Sequence, residues 1–529
     1  MIWDGSKQIE ATKPSSRDNA SWFWGAVAMW LGAALLAGCH GDRSVDSSPS
    51  VSPTAAASVE PHTGTDPTAG AGDAGGAGGD GRATTGNAAV SRGSWEGPVD
   101  RSDVPAVAGS TAATPAPISL SLALTVPETS AALRAEATEL MTDLVRQLPQ
   151  SPDALEVKAR MHFLFGENEQ AEADWRQALA ISPDYGYAHL GIGKAAMRHD
   201  RLEEAEQHLV KAMELLPLLE EAALELAQVY TLQGHLERTV SVLQSFVEKK
   251  PDAAESWLVL GQSFLALRDY ERARQGFARV LELRPDAARA QEGLGRALVR
   301  LGQREEAKRL LEAQASARRL TEASNRTPEE AFVNEKKDVA RLYVDAGRIL
   351  VHFQHLDAAE LVYRKAILLD PHNMDAWSLF LRLLQQMEKM NEAWVMAGEM
   401  CEANPDDATA QLTLALLGAR VGELHDPIAA MDRVIELAPQ DANAHQTFAR
   451  LLLENRRDFP RALQLAHRAV ELRGSAADHE MYAQTLAVNQ QFEKAREELE
   501  EAVRLDPDNP LYRGALQQLD AFLQAKSAQ

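Results

Sequence analysis

The chain has 529 residues, more than one hydrophobic core usually organises, and a formal net charge of −23. Such an acidic balance argues against nucleic-acid binding, which needs an electropositive face. The two cysteines are too few for a disulfide framework or a cysteine zinc site. After residue 128 the chain is dominated by Ala, Leu, Glu, Gln and Arg, which predicts an all-helical body because these side chains lose little freedom in a helix.

An uninterrupted apolar run of 17 residues extends from Trp22 to Gly38. It ends in the sequence LAGC, which resembles the bacterial lipobox, where small residues precede a cysteine that becomes lipidated. The resemblance implies that residues 1–38 are a signal peptide and that Cys39 becomes the acylated N-terminus. Acyl chains would anchor the protein firmly, since each buried CH₂ contributes about 0.8 kcal/mol.

An uncleaved signal anchor in the inner membrane is the alternative. A run of 17 residues is at the lower limit for a spanning helix. The positive charges before the run are also balanced by acids, unlike those of a typical signal peptide. Both interpretations hold the body outside the cytoplasm. His40 rather than Asp follows the cysteine, so the inner-membrane retention signal of enteric bacteria is absent, which favours the outer membrane or the periplasmic face.

Residues 39–117 are rich in Gly, Ser, Thr, Ala and Pro, with Trp95 as the one aromatic residue and no Leu. Such a segment cannot bury enough apolar surface to offset its chain entropy, so we predict a disordered tether. It would span roughly 50 Å root-mean-square. From Ile118 to Val126, apolar residues alternate with smaller or polar ones, which predicts a short extended piece packed along the first helix.

A fixed period of 34 residues governs the rest of the chain. Prolines recur at this spacing at Pro149, Pro183, Pro217, Pro251 and Pro285, and again at Pro371, Pro405 and Pro439. Twelve residues before most of them stands an alanine, as at Ala137, Ala171, Ala205, Ala273, Ala359 and Ala393. A small residue at a fixed place and a helix-ending proline indicate a repeated pair of helices.

The clearest copy reads Trp257, Leu260, Gly261, Phe264, Ala273, Phe277, Pro285. This resembles the tetratricopeptide repeat (TPR), W-x₂-L-G-x₂-Y…A-x₃-F…P. The first four residues recur at three and four positions and so share one face of helix A. The small residues Gly261 and Ala273 would lie where helices A and B of the pair approach most closely.

Full repeats are predicted to begin near residues 152, 186, 220, 254, 288, 340, 374, 408, 442 and 476. The resemblance implies an all-α fold, a right-handed superhelical solenoid of about ten helix pairs preceded by the disordered linker. Helices near 128–148 and 510–525 would cap the ends, because each repeat buries its apolar face only against neighbours.

The register breaks once, at a spacer over residues 320–339. We therefore predict an N-terminal block over 118–319 and a C-terminal block with a capping helix over 340–529. Within the spacer, Thr327, Pro328 and Glu330 form a capping-box pattern. It predicts a long helix from Pro328 into the helix that contains Tyr343 and Gly347, serving as a hinge.

In TPR families the partner lies in a concave groove lined by helix A, and the ninth position of each repeat usually faces it. These positions are Arg160, Lys194, Gln228, Gln262, Arg296, Arg348, Arg382, Leu416, Arg450 and Gln484, of which six are basic. We predict that Arg160, Lys194, Arg296, Arg348, Arg382 and Arg450 contact acidic peptide or helical segments of other proteins. The alternative is that neighbouring acids such as Glu156, Glu225, Glu255 and Glu292 neutralise these cations.

No metalloprotease, Walker, dinucleotide or nucleophile-elbow motif occurs in the sequence. The histidines His199, His208, His235, His352 and His355 are scattered and are interpreted as surface or groove side chains. We therefore predict no catalytic residue, no cofactor and no metal site. The function predicted is a non-enzymatic, membrane-tethered protein-interaction scaffold in a bacterial envelope assembly. The alternative is an accessory subunit of an extracytoplasmic enzyme or of a secretion or polysaccharide system.

Overall fold

The computed structural model describes residues 120, 122–310, 328–423 and 425–527. These residues form helices joined by short turns, and no strand occurs among them. By their contacts they group into two compact units, residues 120–439 and residues 440–527. We call these the larger unit and the C-terminal unit.

The helices alternate between A helices, which open each repeat, and B helices, which close it. The A helices are α2 (Pro152–Leu164), α4 (Gly186–Arg198), α6 (Glu220–Leu232), α8 (Ala254–Ala266), α10 (Ala288–Arg300), α11 (Pro328–His352), α13 (Met374–Gln386), α15 (Ala408–Val421), α17 (Ala442–Glu454) and α19 (Ala476–Val488). The B helices are α1 (Ser130–Gln147), α3 (Asn168–Ile181), α5 (Leu202–Leu215), α7 (Leu236–Lys249), α9 (Tyr270–Leu283), α12 (Leu356–Leu369), α14 (Met390–Ala403), α16 (His425–Leu437), α18 (Phe459–Leu472) and α20 (Phe492–Leu505). A final helix, α21 (Pro510–Ser527), covers α20, and residues 304–310 are also helical.

Small residues allow helices A and B to approach closely, as the sequence pattern predicts. A methyl group added to Gly276 would lie 3.2 Å from the Cα of Gly261. In α4, a methyl group on Gly191 would lie 2.1 Å from the indole of Trp175, which is almost completely buried. At Gly191 a large side chain of the preceding B helix thus packs over a position that has no room for a side chain.

The turn between helices A and B holds a residue in the left-handed backbone region at the same place in each repeat, and Asp458 is a second such residue in the repeat that begins at Ala442. Glycine occupies it at Gly166, Gly234, Gly302 and Gly422, whereas other residue types occupy it at Asp200, Arg268, Gln354, Glu388, Arg456 and Gln490. Glycine adopts this conformation without the steric cost that a Cβ imposes. The sequence analysis did not identify this position.

The fourth position of the repeat also has a recurrent role. Its side chain lies within hydrogen-bonding distance of the carbonyl oxygen of the proline six residues earlier, at 2.9 to 3.1 Å in four repeats. The side chains are His189, Trp257, Gln291 and Trp377, paired with Pro183, Pro251, Pro285 and Pro371. This bond satisfies a carbonyl that the proline turn leaves outside the helical ladder.

The two sequence blocks meet in an order that the repeat register does not reveal. Helix α11, which follows α10 in sequence, packs against α1, α2, α12 and α13. One apolar cluster includes Leu140 and Met161 of the first repeats together with Tyr343 and Phe380 of the later ones. Helix α1 therefore covers the end of both blocks, which we call the junction.

A buried ammonium group ties the junction together. The Nζ of Lys365 on α12 is fully buried and donates to the carbonyl oxygens of Ala123 and Thr125 and to Glu136 of α1. The chain before α1 thus packs on α12, as irregular rather than extended structure. A buried charge is tolerated only when it is paired and hydrogen-bonded, as Lys365 is here.

The predicted fold class is confirmed: the body is an all-α stack of helix pairs. The predicted long helix from Pro328 is confirmed as well. The division at 320–339 stays a prediction from repeat register, whereas the contacts divide the described chain at residue 440. The apolar run, Cys39 and the linker lie outside the described residues. Within the described residues, no helix has the length and apolarity needed to span a bilayer.

Candidate ligand-binding surface

Seven A helices of the larger unit form one continuous row. The order of these helices in space is α10, α8, α6, α4, α2, α11 and α13, and each contacts the next. Successive A helices pack directly on one another, whereas each B helix packs mainly against A helices. The A helices therefore line the inner side of the stack, and their exposed side chains form what we call the inner surface. In this row Arg348 adjoins Arg160 rather than Arg296.

Arg160 and Arg348 meet at one carboxylate at the centre of the row. The guanidinium of Arg160 lies 2.6 Å from Asp345 and 2.7 Å from Glu156, and that of Arg348 lies 3.5 Å from Asp345. Asp345 and Glu156 are buried. Both cations are thus paired with acidic groups of the protein itself.

Burial dominates the ionisation of this group. It raises the pKa of Glu156 to about 7, although Arg160 acts in the opposite direction; the neighbouring Asp345 and Asp153 raise the pKa further. Burial lowers the pKa of Arg160, but Glu156 and Asp345 together outweigh it and raise the pKa, so Arg160 remains charged. These ion pairs are consistent with a structural role in joining α2 to α11.

Lys194 and Arg296 are also paired with acids. Lys194 forms an ion pair with Glu221, lies 3.9 Å from Glu225, and sits over the ring of Phe163. Burial raises the pKa of Glu225. Arg296 pairs with Glu292 one turn away, but 67% of its side chain remains exposed. Such exposed pairs contribute little to stability and leave the guanidinium accessible.

Arg382 differs from the other basic ninth positions of the larger unit. It is exposed on α13, and among the described residues its guanidinium takes part in no salt bridge. Burial raises the pKa of the Tyr363 phenol, and the charge of Arg382 opposes this effect. Among the basic ninth positions of the larger unit, Arg382 is therefore the one without a salt bridge to a described residue.

Arg450 and Gln484 occupy the ninth positions of the C-terminal unit. Arg450 is exposed, and its charge opposes the effect of burial, which raises the pKa of both Glu454 and Glu480. Gln484 is buried and donates to Glu480. Arg450, predicted to contact acidic segments of a partner, thus lies near two acidic residues of its own chain.

Two of the ninth positions lie beside exposed apolar residues. Gln228 is exposed on α6, one turn before Leu232, which is 58% exposed. On α10, Arg296 lies one turn before Val299, which is 47% exposed. Adjacent polar and apolar groups can hydrogen-bond the backbone of a bound segment and contact its apolar side chains at the same time.

The predicted neutralising acids are only partly those found. Glu156, Glu225 and Glu292 lie near the expected cations, whereas Glu255 pairs with Arg284. Asp345 could not be found from the sequence, because it lies 185 residues from Arg160 and outside its repeat. No group of three or more His, Cys, Asp or Glu side chains suited to a metal ion occurs in the described part of the chain.

Family models described as tetratricopeptide repeat match residues 165–217, 224–288 and 447–510, residues 264–324, and residues 340–373. A comparison with curated proteins gives no match.

Among solved structures, YrrB, described as a TPR protein with an unusual peptide-binding site, is 24% identical. The match covers 35% of this chain and 95% of YrrB, with a TM-score of 0.30. MamA from Desulfovibrio magneticus RS-1 is 16% identical over 33% of this chain and 98% of its own, with a TM-score of 0.30. A chain of the Naa15/Naa10 complex bound to HypK-THB is 14% identical over 68% of this chain and 65% of its own, with a TM-score of 0.27.

The repeat models match helix pairs in both units, and their turns, close glycines and prolines recur at the same places. Tetratricopeptide repeats are therefore present in both units, and the helical body of this chain is an all-α solenoid of helix pairs.

Proposed function

We propose that this protein is a non-enzymatic scaffold that binds peptide or helical segments of other proteins on its inner surface. The observation that carries the proposal is the row of A helices, on which exposed polar ninth positions lie beside exposed apolar residues. Repeat solenoids use such extended surfaces for binding. Arg296 and Arg382 are the cations available to acidic side chains of a partner, whereas Arg160 and Arg348 are committed to Asp345.

Site-specific photo-crosslinking tests which face binds. A photo-reactive residue at Gln228 or Gln262, both exposed on A helices, should give adducts with partner proteins in cells. The matched control is the same residue at Arg274 on the B helix α9, which is partly exposed and pairs with Glu271. Adducts of equal yield from both faces would contradict binding on the inner surface.

Charge reversal tests the acidic character of the partner. Replacing Arg296 and Arg382 together by Glu should reduce recovery of crosslinked partners, because like charges then face each other. Replacing Arg274 and Arg279 of α9 together by Glu makes the same change of charge on a B helix and serves as the control. If recovery is unchanged, the partner is not selected by its acidic residues, although the inner surface can still be the binding face.

We also propose that the scaffold is held outside the bacterial cytoplasm by lipid on Cys39, as part of an envelope assembly. The LAGC sequence after the apolar run supports this. Cys39→Ala should abolish labelling by radioactive palmitate and shift the protein in gels to the size of the uncleaved precursor. Palmitate labelling that persists in the variant would exclude Cys39 as the acylated residue.

A further inference from the structure

The fourth position of a repeat on helix A faces a position 19 residues later on helix B. In the repeat that begins at Gly186, this brings His189 of α4 to His208 of α5. In the last repeat, the same two positions bring His479 of α19 to Glu498 of α20. The chain thus contains a histidine–histidine pair and a histidine–carboxylate pair in equivalent places.

The two imidazoles of the first pair present their Nδ1 atoms to each other. The Nδ1 atoms are 3.0 Å apart, and the ring centroids are 5.1 Å apart. The Nε2 of His189 lies 3.1 Å from the carbonyl oxygen of Pro183, so this nitrogen carries the hydrogen. The Nδ1 of His189 therefore offers a lone pair of fixed direction, as in metal-ligating histidines whose other nitrogen donates to a carbonyl.

The surroundings keep His208 neutral. Burial and the neighbouring His189 lower the pKa of His208, with a smaller contribution in the same direction from Arg176. The charges of Glu204 and Glu172 act in the opposite direction, but both carboxylates are paired with Arg176 and Arg201. A neutral imidazole is the form that binds a metal.

We propose that His189 and His208 form a two-nitrogen site for a late first-row divalent cation, with Cu²⁺ the preferred ion. With metal–nitrogen bonds of about 2.0–2.1 Å, a right angle at the metal separates two nitrogens by roughly 2.9 Å, and a tetrahedral angle by roughly 3.3 Å. The observed 3.0 Å fits the right angle of a square-planar ion.

Binding requires no net release of a proton. The hydrogen that His208 shares with His189 moves from Nδ1 to Nε2 of His208, and both Nδ1 lone pairs then bind the ion. Water molecules complete the coordination, since the described residues supply no third ligand of the usual kinds.

The experiment is equilibrium dialysis of the untagged full-length chain in detergent against Cu²⁺, with the nitrogen coupling read by electron paramagnetic resonance. His189→Gln retains the bond to Pro183, since glutamine makes the same bond at Gln291. This variant should lose one high-affinity equivalent of Cu²⁺ and the two-nitrogen signal, with at least roughly ten-fold weaker binding. His208→Gln should do the same, whereas His479→Gln should have no effect.

A gain of binding tests the geometry directly. Glu498→His places a second imidazole opposite His479 and should add a second equivalent of Cu²⁺ with the same spectrum. If wild type and His189→Gln bind equal equivalents with equal affinity, the pair is a hydrogen bond alone and the proposal is wrong. Copper bound by histidines elsewhere would persist in both His189→Gln and His208→Gln, which distinguishes it from copper bound by this pair.

Discussion

An ordinary interface between repeats and the junction are built from different chemistry. Between the repeats on α7 to α9, the core consists of apolar side chains such as Phe246, Leu258 and Phe277. The junction adds to its apolar cluster the buried charges of Lys365 and Asp345. Repeat helices thus pack on their sequence neighbours mainly through apolar contacts in this region. At the junction, helices distant in sequence pack through apolar contacts and buried ion pairs.

The difference shows how a repeat chain can dock in a non-sequential order. Apolar faces that recur every 34 residues are similar to one another, so shape alone leaves several dockings nearly equal in free energy. A docking that buried α11 and α12 elsewhere would separate Lys365 from Glu136 and Asp345 from Arg160, and a buried charge that loses its partner costs several kcal/mol. We infer that these charges select the order of the helices.

The strongest test of this comparison is to remove the buried charge. Lys365→Met should lower the free energy of unfolding by about 3–5 kcal/mol, because Glu136 and two carbonyl groups lose their donor. Chemical denaturation measures the loss, and hydrogen exchange should locate it in α1 and α12. Lys211→Met, at an exposed lysine 3.5 Å from Glu214, should change stability by less than about 0.5 kcal/mol. Equal effects of the two substitutions would show that the ammonium of Lys365 does not hold the junction.

The pH dependence of stability should also distinguish the junction. The pKa of Glu156 is raised to about 7 from an ordinary value of 4.5, so the folded state binds its proton more tightly than the unfolded state. The contribution is complete below pH 4.5 and is lost as pH rises to about 7. Each pKa unit corresponds to about 1.4 kcal/mol, which gives an upper limit of about 3 kcal/mol.

Glu156→Gln isolates this contribution because the amide does not titrate. Relative to the variant, wild type should become less stable between pH 4.5 and 7, as measured by urea denaturation at each pH. Glu292→Gln on α10, where the carboxylate is half exposed, is the matched control and should show no such slope. A stability difference for Glu156→Gln that is constant across this range would mean that the ion pair with Arg160 keeps Glu156 ionised throughout.

At an ordinary interface, stability should instead depend on how closely the side chains pack. Gly191→Ala places a methyl group 2.1 Å from the indole of Trp175 and should destabilise the protein by about 1–3 kcal/mol despite the better helix propensity of alanine. Gly398→Ala on α14 meets no atom within 4 Å and should stabilise by up to about 1 kcal/mol. Both are measured by thermal unfolding. A loss of equal size at Gly398 would show that packing is not the cause at Gly191.

The sequence predicted what repeats in register and could not predict what crosses between repeats. The start of each repeat, the close approach at Gly261 and the long helix from Pro328 all follow from local spacing. The contact of Arg160 with Asp345 does not, because the register placed α11 after α10 and no local pattern distinguishes α1 as its neighbour. The sequence predicted basic residues at six of ten ninth positions, with neutralisation by neighbouring acids as the alternative; the structure pairs most of those in the larger unit with acids of the same or an adjacent A helix.

The smallest expected effect concerns the left-handed turn, which occurs at the junction and away from it alike. Arg268 is exposed and lies between α8 and α9, away from the junction, whereas Gln354 follows α11 at the junction. Both residues have φ near +62°. Replacing either by Gly should stabilise by about 0.5–1 kcal/mol, because relief of the Cβ clash outweighs the greater chain entropy of glycine. Gly234→Ala, at φ +80°, should cost about 1 kcal/mol. Thermal unfolding should give equal gains at Arg268 and Gln354, since the strain is local to the turn. A gain at Arg268 with a loss at Gln354 would instead show that the junction depends on the side chain of Gln354.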